Sequence, residues 1–139
     1  MKQEKTCGAV VFHDGKILME QKQETGYWLY PRGHVERDET EGETAVREVF
    51  EETGVRMRIV PGFRESYRYL FRKKDGTTVE KETIVFVAEA LTFETAPLLT
   101  EVSKTAWLTQ EDAVGSASHQ EIKNILLKAI SFAKERGLA

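Results

Sequence analysis

The segment from Thr40 to Gly54 carries the start and stop signals of an α-helix and lies between two stretches with strand patterns. Thr40 and Glu43 have the spacing of a capping box, and Gly54 stands where a glycine commonly follows the last helical residue. The pattern therefore predicts a helix from about Thr40 to Thr53. One helix in the middle of β-rich sequence restricts the fold to sheets that are covered by helices.

The remaining sequence is dominated by strand patterns. TCGAVVF and KILMEQK predict two strands joined by a turn at residues 13–15, and YWLYP predicts a short strand followed by a polar loop, RGHVERDE. VRMRIV predicts another strand, and ESYRYLFRKKDGTTVEKETIVFVAEAL predicts a long hairpin that turns at Asp75-Gly76. TAWLT predicts a short last strand, and TQEDAV a brief helical turn after it.

A second long helix is predicted at the end of the chain. Ser118 and Glu121 have capping-box spacing, and Gly137 follows the end of the pattern near Arg136. The apolar positions of this helix recur with helical spacing and comprise Ile122, Ile125, Leu126, Ala129, Ile130 and Ala133. The order of elements predicts an α+β layered fold.

Length and charge narrow the setting. A chain of 139 residues is expected to form a single domain, 1–139, with a substantial core. The formal net charge of −3 argues against a general nucleic-acid binder. Cys7 is the only cysteine, which excludes an intrachain disulfide and favours a reducing compartment. No signal peptide or membrane-spanning run is evident, and we expect a cytoplasmic location.

Three glutamates, Glu48, Glu51 and Glu52, fall in the last part of the middle helix. Acidic side chains at a helix C-terminus are disfavoured by up to about 1 kcal/mol each. Glu48 and Glu52 also repel each other at i, i+4 spacing, at a cost of roughly 0.2–0.5 kcal/mol. Because 100° separates successive helical residues, all three carboxylates share an arc of about 100°. They form either a solvated acidic face or a site for a hard divalent cation, Mg²⁺ or Mn²⁺.

From Gly33 to Val55 the sequence reads GHVERDETEGETAVREVFEETGV, and this segment resembles the Nudix box. The box pattern, G-x5-E-x7-R-E-U-x-E-E-x-G-U with U aliphatic, is matched at all nine specified positions. The specific matches are Gly33, Glu39, Arg47, Glu48, Val49, Glu51, Glu52, Gly54 and Val55. The resemblance covers the whole chain in length and element order, although its specificity lies between Trp28 and Val55.

The resemblance implies a mixed β-sheet sandwiched between α-helices and hydrolysis of a diphosphate linkage in a nucleoside diphosphate derivative. It implies that Glu48, Glu51 and Glu52 hold Mg²⁺ or Mn²⁺, with the Gly33 carbonyl as a further ligand. Arg47 and Glu39 would fix the loop of the box against its helix.

The general base of the reaction is left open by the sequence. Glu48 and Glu52 are candidates, but some family members use a glutamate outside the box. Glu101, in LLTEVSKTAWL, resembles that outside glutamate and is predicted to have a catalytic or metal-binding role. Taken without the resemblance, it is an ordinary loop residue.

The flanks of the box resemble those of diadenosine tetraphosphate hydrolases of the asymmetrical type, which release ATP and AMP. Arg32 in PRGHVE and Lys81 before ETIVFVAEA are predicted to meet the polyphosphate, although lysine is common at the place of Arg32. Tyr67 and Tyr69 are predicted to stack a base, their alternative being ordinary core positions. The expected partner is therefore a small nucleotide, with no membrane partner.

The sequence is also compatible with other functions. Within the family, the substrate could be an oxidised or ordinary nucleoside triphosphate, ADP-ribose or a capped 5′ RNA end. A nucleotide sensor without turnover ranks lower, since such a module would be free to lose the box glutamates, and this chain has kept all of them. A purely structural role ranks lower still.

Overall fold

The computed structural model describes residues 2–96 and 102–139, which form seven strands and three helices. The strands are β1 (Lys2–His13), β2 (Lys16–Lys22), β3 (Trp28–Leu29), β4 (Arg32–His34), β5 (Met57–Arg72), β6 (Thr78–Ala90) and β7 (Val102–Leu108). The helices are α1 (Glu41–Thr53), α2 (Gln110–Ser116) and α3 (Gln120–Glu135). Within the described residues, no helix is long and apolar enough to cross a lipid bilayer.

The strands form one mixed sheet with β1 near its centre. The main path runs β3-β2-β1-β6-β5, while β4 pairs with β1 and β7 pairs with β2. The β1–β6 pairing is parallel and the other pairings between named strands are antiparallel. Asp14 and Gly15 both have positive φ, as the tight β1–β2 hairpin requires.

Helices cover both faces of the sheet, so that each face has its own core. On one face, Ala45 and Val49 of α1 pack with Cys7, Ala9 and other buried residues. On the other face, Ile122 and Leu126 of α3 pack with Val10. Alternate residues of β1 thus point to opposite cores, as the two-residue period of a strand dictates. The predicted α+β fold, a mixed sheet between helices, is confirmed.

Both long helices lie where the sequence predicts them. Thr40 is the N-cap of α1 and forms the capping box with Glu43, and Gly54 ends the helix in the left-handed conformation. All six apolar positions predicted for α3 are buried. The second capping box is wrong, because His119 is the N-cap of α3 and makes no side-chain capping bond. Ala117 pairs with Trp28 through the backbone. This pairing keeps the residues just before α3 extended, so the helix begins later in the sequence than predicted.

Two strand predictions also need correction. Residues 32–34, predicted as part of a polar loop, form β4 and pair with Thr6, Cys7 and Gly8 of β1. A side chain at Gly8 would collide with Pro31 and Arg32, so the missing Cβ permits this close pairing. VRMRIV and the first arm of the long hairpin are one strand, β5, whose register shifts between Ile59 and Arg64.

Candidate active site

Arg47 connects the loop after β4 to the glutamates of α1. Its guanidinium donates to both carboxylate oxygens of Glu39, at 2.6 and 2.9 Å, and to the backbone carbonyl of His34 at 2.9 Å. It also donates to Glu48 at 2.7 Å and to Glu51 at 3.2 Å. These bonds to the Arg47 guanidinium hold the pKa of Glu39 at about 2, and they raise the pKa of Arg47 above its usual value. Arg47 therefore fixes the loop and orients two carboxylates at once.

Glu48 packs directly against the backbone of β4. A Cβ added at Gly33 would collide with the Glu48 carboxylate, so only glycine leaves room for that side chain. Burial raises the pKa of Glu48, and the neighbouring Arg47 guanidinium opposes that shift.

Glu52 is held by groups from two strands. Its Oε1 accepts from the backbone N–H of Arg32 at 3.2 Å, and its Oε2 accepts from Lys22 Nζ at 3.1 Å. Lys22 also lies 3.1 Å from Glu20 on the same strand. Burial disfavours the Lys22 ammonium, but the Glu20 and Glu52 carboxylates outweigh that effect and raise the pKa of Lys22.

A polar cavity of about 380 Å³ opens over this end of α1. Glu48 and Glu52 line it, together with Gly33 of β4. Three cationic side chains, Lys22, Arg32 and Lys81, line the same cavity. The structure thus brings predicted acidic and basic site residues to one place, and Glu51 lies beside them against Arg47.

A larger cavity of about 980 Å³ adjoins the polar one. Tyr67, Tyr69 and Phe71 of β5 form one side of its lining, and Tyr27 and His119 contribute further rings. Tyr67 and Tyr69 lie nearly parallel with their centroids 6.0 Å apart. The Tyr67 hydroxyl is fixed by a 2.7 Å hydrogen bond with the Tyr30 hydroxyl. Aromatic faces of this kind can stack a flat heterocyclic ring.

Lys22 and Arg32 line both cavities and therefore mark the boundary between them. Arg32 Nη1 is shielded from solvent and has no hydrogen-bond partner among residues 2–96 and 102–139. A buried donor without a partner is costly, and an anion at the boundary would satisfy it. Lys81 Nζ lies 5.1 Å from the Phe71 ring centroid, and burial lowers the pKa of Lys81.

Comparison with known proteins decides the family. The model of the NUDIX domain matches residues 2–129. This chain belongs to the Nudix family.

The most informative relatives are similar over their whole length. The asymmetrical bis(5′-nucleosyl)-tetraphosphatase of Mus musculus is 29% identical over 143 residues, which cover 92% of this chain and 94% of the mouse protein. The crystal structure of a C. elegans Ap4A hydrolase binary complex superposes with a TM-score of 0.80 at 25% identity, covering 95% and 98% of the two chains. A NUDIX-family hydrolase of Clostridium perfringens shares the fold, with a TM-score of 0.73 at 18% identity and coverage of 95% and 99%.

This Nudix protein is therefore a pyrophosphohydrolase that acts on small nucleotide substrates, and Nudix hydrolases generally need divalent metal ions. Within the described residues, no three His, Cys, Asp or Glu side chains converge closely enough to hold such an ion. In this structure Arg47 forms ion pairs with Glu48 and Glu51, and Lys22 forms one with Glu52.

The chemistry of the donor set nevertheless fits a hard divalent cation. Glu48 and Glu52 present buried carboxylates at one cavity, where arginine and lysine already compensate their charge. Divalent cations prefer such oxygen ligands. Rotation of the glutamate side chains would let a metal ion replace the arginine and lysine groups as the partner of these carboxylates. Glu48, Glu51 and Glu52 would hold the metal, with the Gly33 carbonyl beside them.

The remaining predicted residue, Glu101, lies outside the described residues. Its catalytic or metal-binding role stays a prediction.

Sequence reasoning missed Glu20 and Lys22 as site residues. Both lie on β2, whose sequence KILMEQK predicts only a strand. The available signal was a glutamate that directly follows the apolar run Ile17, Leu18 and Met19 of a predicted strand, since a carboxylate in a buried strand needs a partner.

Gly33 offers a direct test of the packing between β4 and α1. We expect Gly33→Ala to lower kcat about 100-fold, because the new methyl group displaces the Glu48 carboxylate and small misplacements cost rates of this order. Steady-state hydrolysis assays would measure the change. Gly115→Ala is the matched control, because nothing lies near a Cβ added there. Wild-type kcat in the Gly33 variant would show that this contact does not position Glu48.

Proposed function

We propose that this enzyme hydrolyses diadenosine tetraphosphate asymmetrically, to ATP and AMP, with Mg²⁺ or Mn²⁺ bound to the box glutamates. The observation that carries the proposal is the pair of adjoining cavities, one aromatic and one polar, with Lys22 and Arg32 at their boundary. A dinucleoside polyphosphate has flat bases at its ends and a long anionic chain between them. The full-length similarity to asymmetrical tetraphosphatases supports the same substrate.

The aromatic cavity is assigned to one adenosine. Tyr67 and Tyr69 offer ring faces for stacking, and the bond between Tyr67 and Tyr30 keeps the first ring in place. A preorganised ring loses little conformational freedom when the base binds. These residues would contribute mainly to substrate affinity.

The polyphosphate chain is assigned to the boundary and to the polar cavity. Arg32 Nη1, which has no hydrogen-bond partner in the described part of the chain, would donate to a phosphate oxygen, as guanidinium groups commonly do. Lys22 and Lys81 would add positive charge on either side of the chain. These three cations oppose the repulsion between the substrate and the acidic residues of α1.

The reaction breaks one P–O bond of the phosphoanhydride chain as a water oxygen bonds to phosphorus. Held by Glu48, Glu51 and Glu52, divalent cations would neutralise the negative charge on the leaving phosphate and make the attacking water more acidic. A carboxylate within hydrogen-bond distance then accepts the water proton. Glu48, Glu52 and Glu101 are the candidates, and Arg47 with Glu39 would keep the box in position.

A substrate panel tests this assignment. Substrate discrimination is measured by the ratio of kcat/KM values. We expect kcat/KM for diadenosine tetraphosphate to exceed that for 8-oxo-dGTP, ADP-ribose and capped RNA by about tenfold or more, because this substrate has the base and the long anionic chain to which the two cavities are assigned. A higher kcat/KM for one of the other compounds would replace the proposed substrate. Tight nucleotide binding without turnover in saturating Mg²⁺ would instead indicate a sensor.

A further inference from the structure

A fully buried carboxyl group lies beside the glutamates of α1 and has no role in the reaction outlined above. Glu20 is 0% exposed and pairs through its backbone with Leu29 of β3 and Thr105 of β7. Neither carboxylate oxygen has a hydrogen-bond partner in the part of the chain that the structure describes. Since an unpaired buried carboxylate is costly, Glu20 is stable in its charged form only beside a cation.

Lys22 is a cation within reach of Glu20. Its Nζ lies 3.1 Å from Glu20 Oε1 and 3.1 Å from Glu52 Oε2. One ammonium group is therefore shared between a buried strand carboxylate and a box glutamate. The geometry with Glu52 is that of a hydrogen bond, whereas the contact with Glu20 is an ion pair without one.

A divalent cation on Glu52 would compete with this ammonium group. Both cations require the same carboxylate, and like charges repel strongly at such short distances. Lys22 would have to leave Glu52 Oε2, and an ammonium group without a counter-charge in this half-buried place is unfavourable. Glu20 Oε1 already lies at ion-pair distance to receive it.

We propose that Glu20 is a positioning residue that takes over the Lys22 ammonium group when Glu52 binds a divalent cation. The exchange needs only a small movement of the lysine side chain, because its two partners are equally distant. It also keeps Lys22 at the boundary of the two cavities, where it faces the substrate phosphates. The inference rests on the proposed function in one respect, that Glu52 binds the metal.

The test is a double-mutant cycle on Mn²⁺ affinity, with free Mn²⁺ measured by electron paramagnetic resonance in the absence of nucleotide. We expect Lys22→Met to bind Mn²⁺ about tenfold more tightly, or about 1.4 kcal/mol, because the competing cation is gone. We expect Glu20→Gln to bind it about tenfold more weakly, because Lys22 then has no second carboxylate. The double variant should match Lys22→Met, since Glu20 acts through Lys22.

Glu24→Gln is the matched control, because it removes the same charge near β2 from a side chain that is 83% exposed. Its Mn²⁺ affinity should stay within about twofold of wild type, since exposed charges are screened. If Glu20→Gln weakened Mn²⁺ binding equally in the wild-type and the Lys22→Met backgrounds, the proposal would be overturned, since Glu20 would then act on the cation directly. Unchanged affinity in Lys22→Met would also overturn it.

The failure of the metal site is distinguishable from the failure of this exchange. Two results would refute the metal site and the inference with it. Either the wild-type protein binds no Mn²⁺, or the Glu52→Gln variant binds Mn²⁺ as tightly as the wild-type protein does. Glu52-dependent binding that Lys22→Met does not alter would refute the exchange alone. Circular dichroism would verify folding, and Glu20→Met would replace a Glu20→Gln protein that does not fold. If neither Glu20 variant folds, Lys22→Met decides the question.

Discussion

Glu52→Gln is expected to lower kcat about a thousandfold or more and to leave the fold intact. Divalent cations supply several kcal/mol of transition-state stabilisation, and each tenfold in rate corresponds to about 1.4 kcal/mol. The amide retains an oxygen that can accept from the Arg32 backbone N–H, but it is a poor ligand for a hard cation. Steady-state kinetics in saturating Mg²⁺ would measure the loss.

Glu135→Gln is the matched control for this variant, because it makes the same change at the exposed end of α3. Circular dichroism and thermal unfolding would show whether both variants keep the wild-type fold. Glu52→Gln also removes a carboxylate beside buried Glu20, whose pKa is raised by burial and by Glu52. Wild-type turnover in the Glu52 variant would refute the assignment of the metal to the box.

Arg47→Ala is expected to lower the free energy of unfolding by about 3 kcal/mol. The substitution leaves the carboxylates of Glu39, Glu48 and Glu51 without their shared partner, and breaking a partly buried ion pair costs about this much. It also releases the bond to the His34 carbonyl that ties the loop to α1. Urea denaturation would measure the stability, and we expect kcat to fall as well.

Two further variants make the Arg47 prediction specific. Arg68→Ala removes an exposed arginine that pairs with Glu82 at 3.2 Å on the sheet surface, and should cost less than about 1 kcal/mol. Arg47→Lys keeps the charge but cannot bond with all the partners at once, so we expect an intermediate loss. An Arg47→Ala protein with the wild-type urea midpoint would show that this network does not stabilise the box.

The elements that could be predicted from sequence are those with local signals. The capping box at Thr40 and the left-handed Gly54 define α1 within a few residues, and the apolar spacing defines the buried face of α3. The start of α3 could not be predicted because a tertiary contact decides it, the pairing of Ala117 with Trp28. Strand β4 escapes prediction for the same reason, since it depends on pairing with β1.

The candidate site divides in the same way. Helical periodicity by itself places Glu48, Glu51 and Glu52 on one side of α1. Periodicity alone could not place all the arginine and lysine side chains that pair with these carboxylates. Lys22 approaches Glu52 from β2, 30 positions away in sequence, and only the sheet brings them together. The pairing of Glu20 with Lys22 is likewise defined by burial rather than by a motif.

The measurement that tests the proposed function most directly is product analysis with diadenosine tetraphosphate and Mg²⁺, beside the Glu52→Gln variant. Ion-exchange separation of the nucleotides would follow the reaction. We predict ATP and AMP in equal amounts from the wild-type enzyme and neither product from the variant. Two molecules of ADP as products would contradict the proposed function. Intact diadenosine tetraphosphate would also contradict it if the same enzyme preparation hydrolyses another nucleotide.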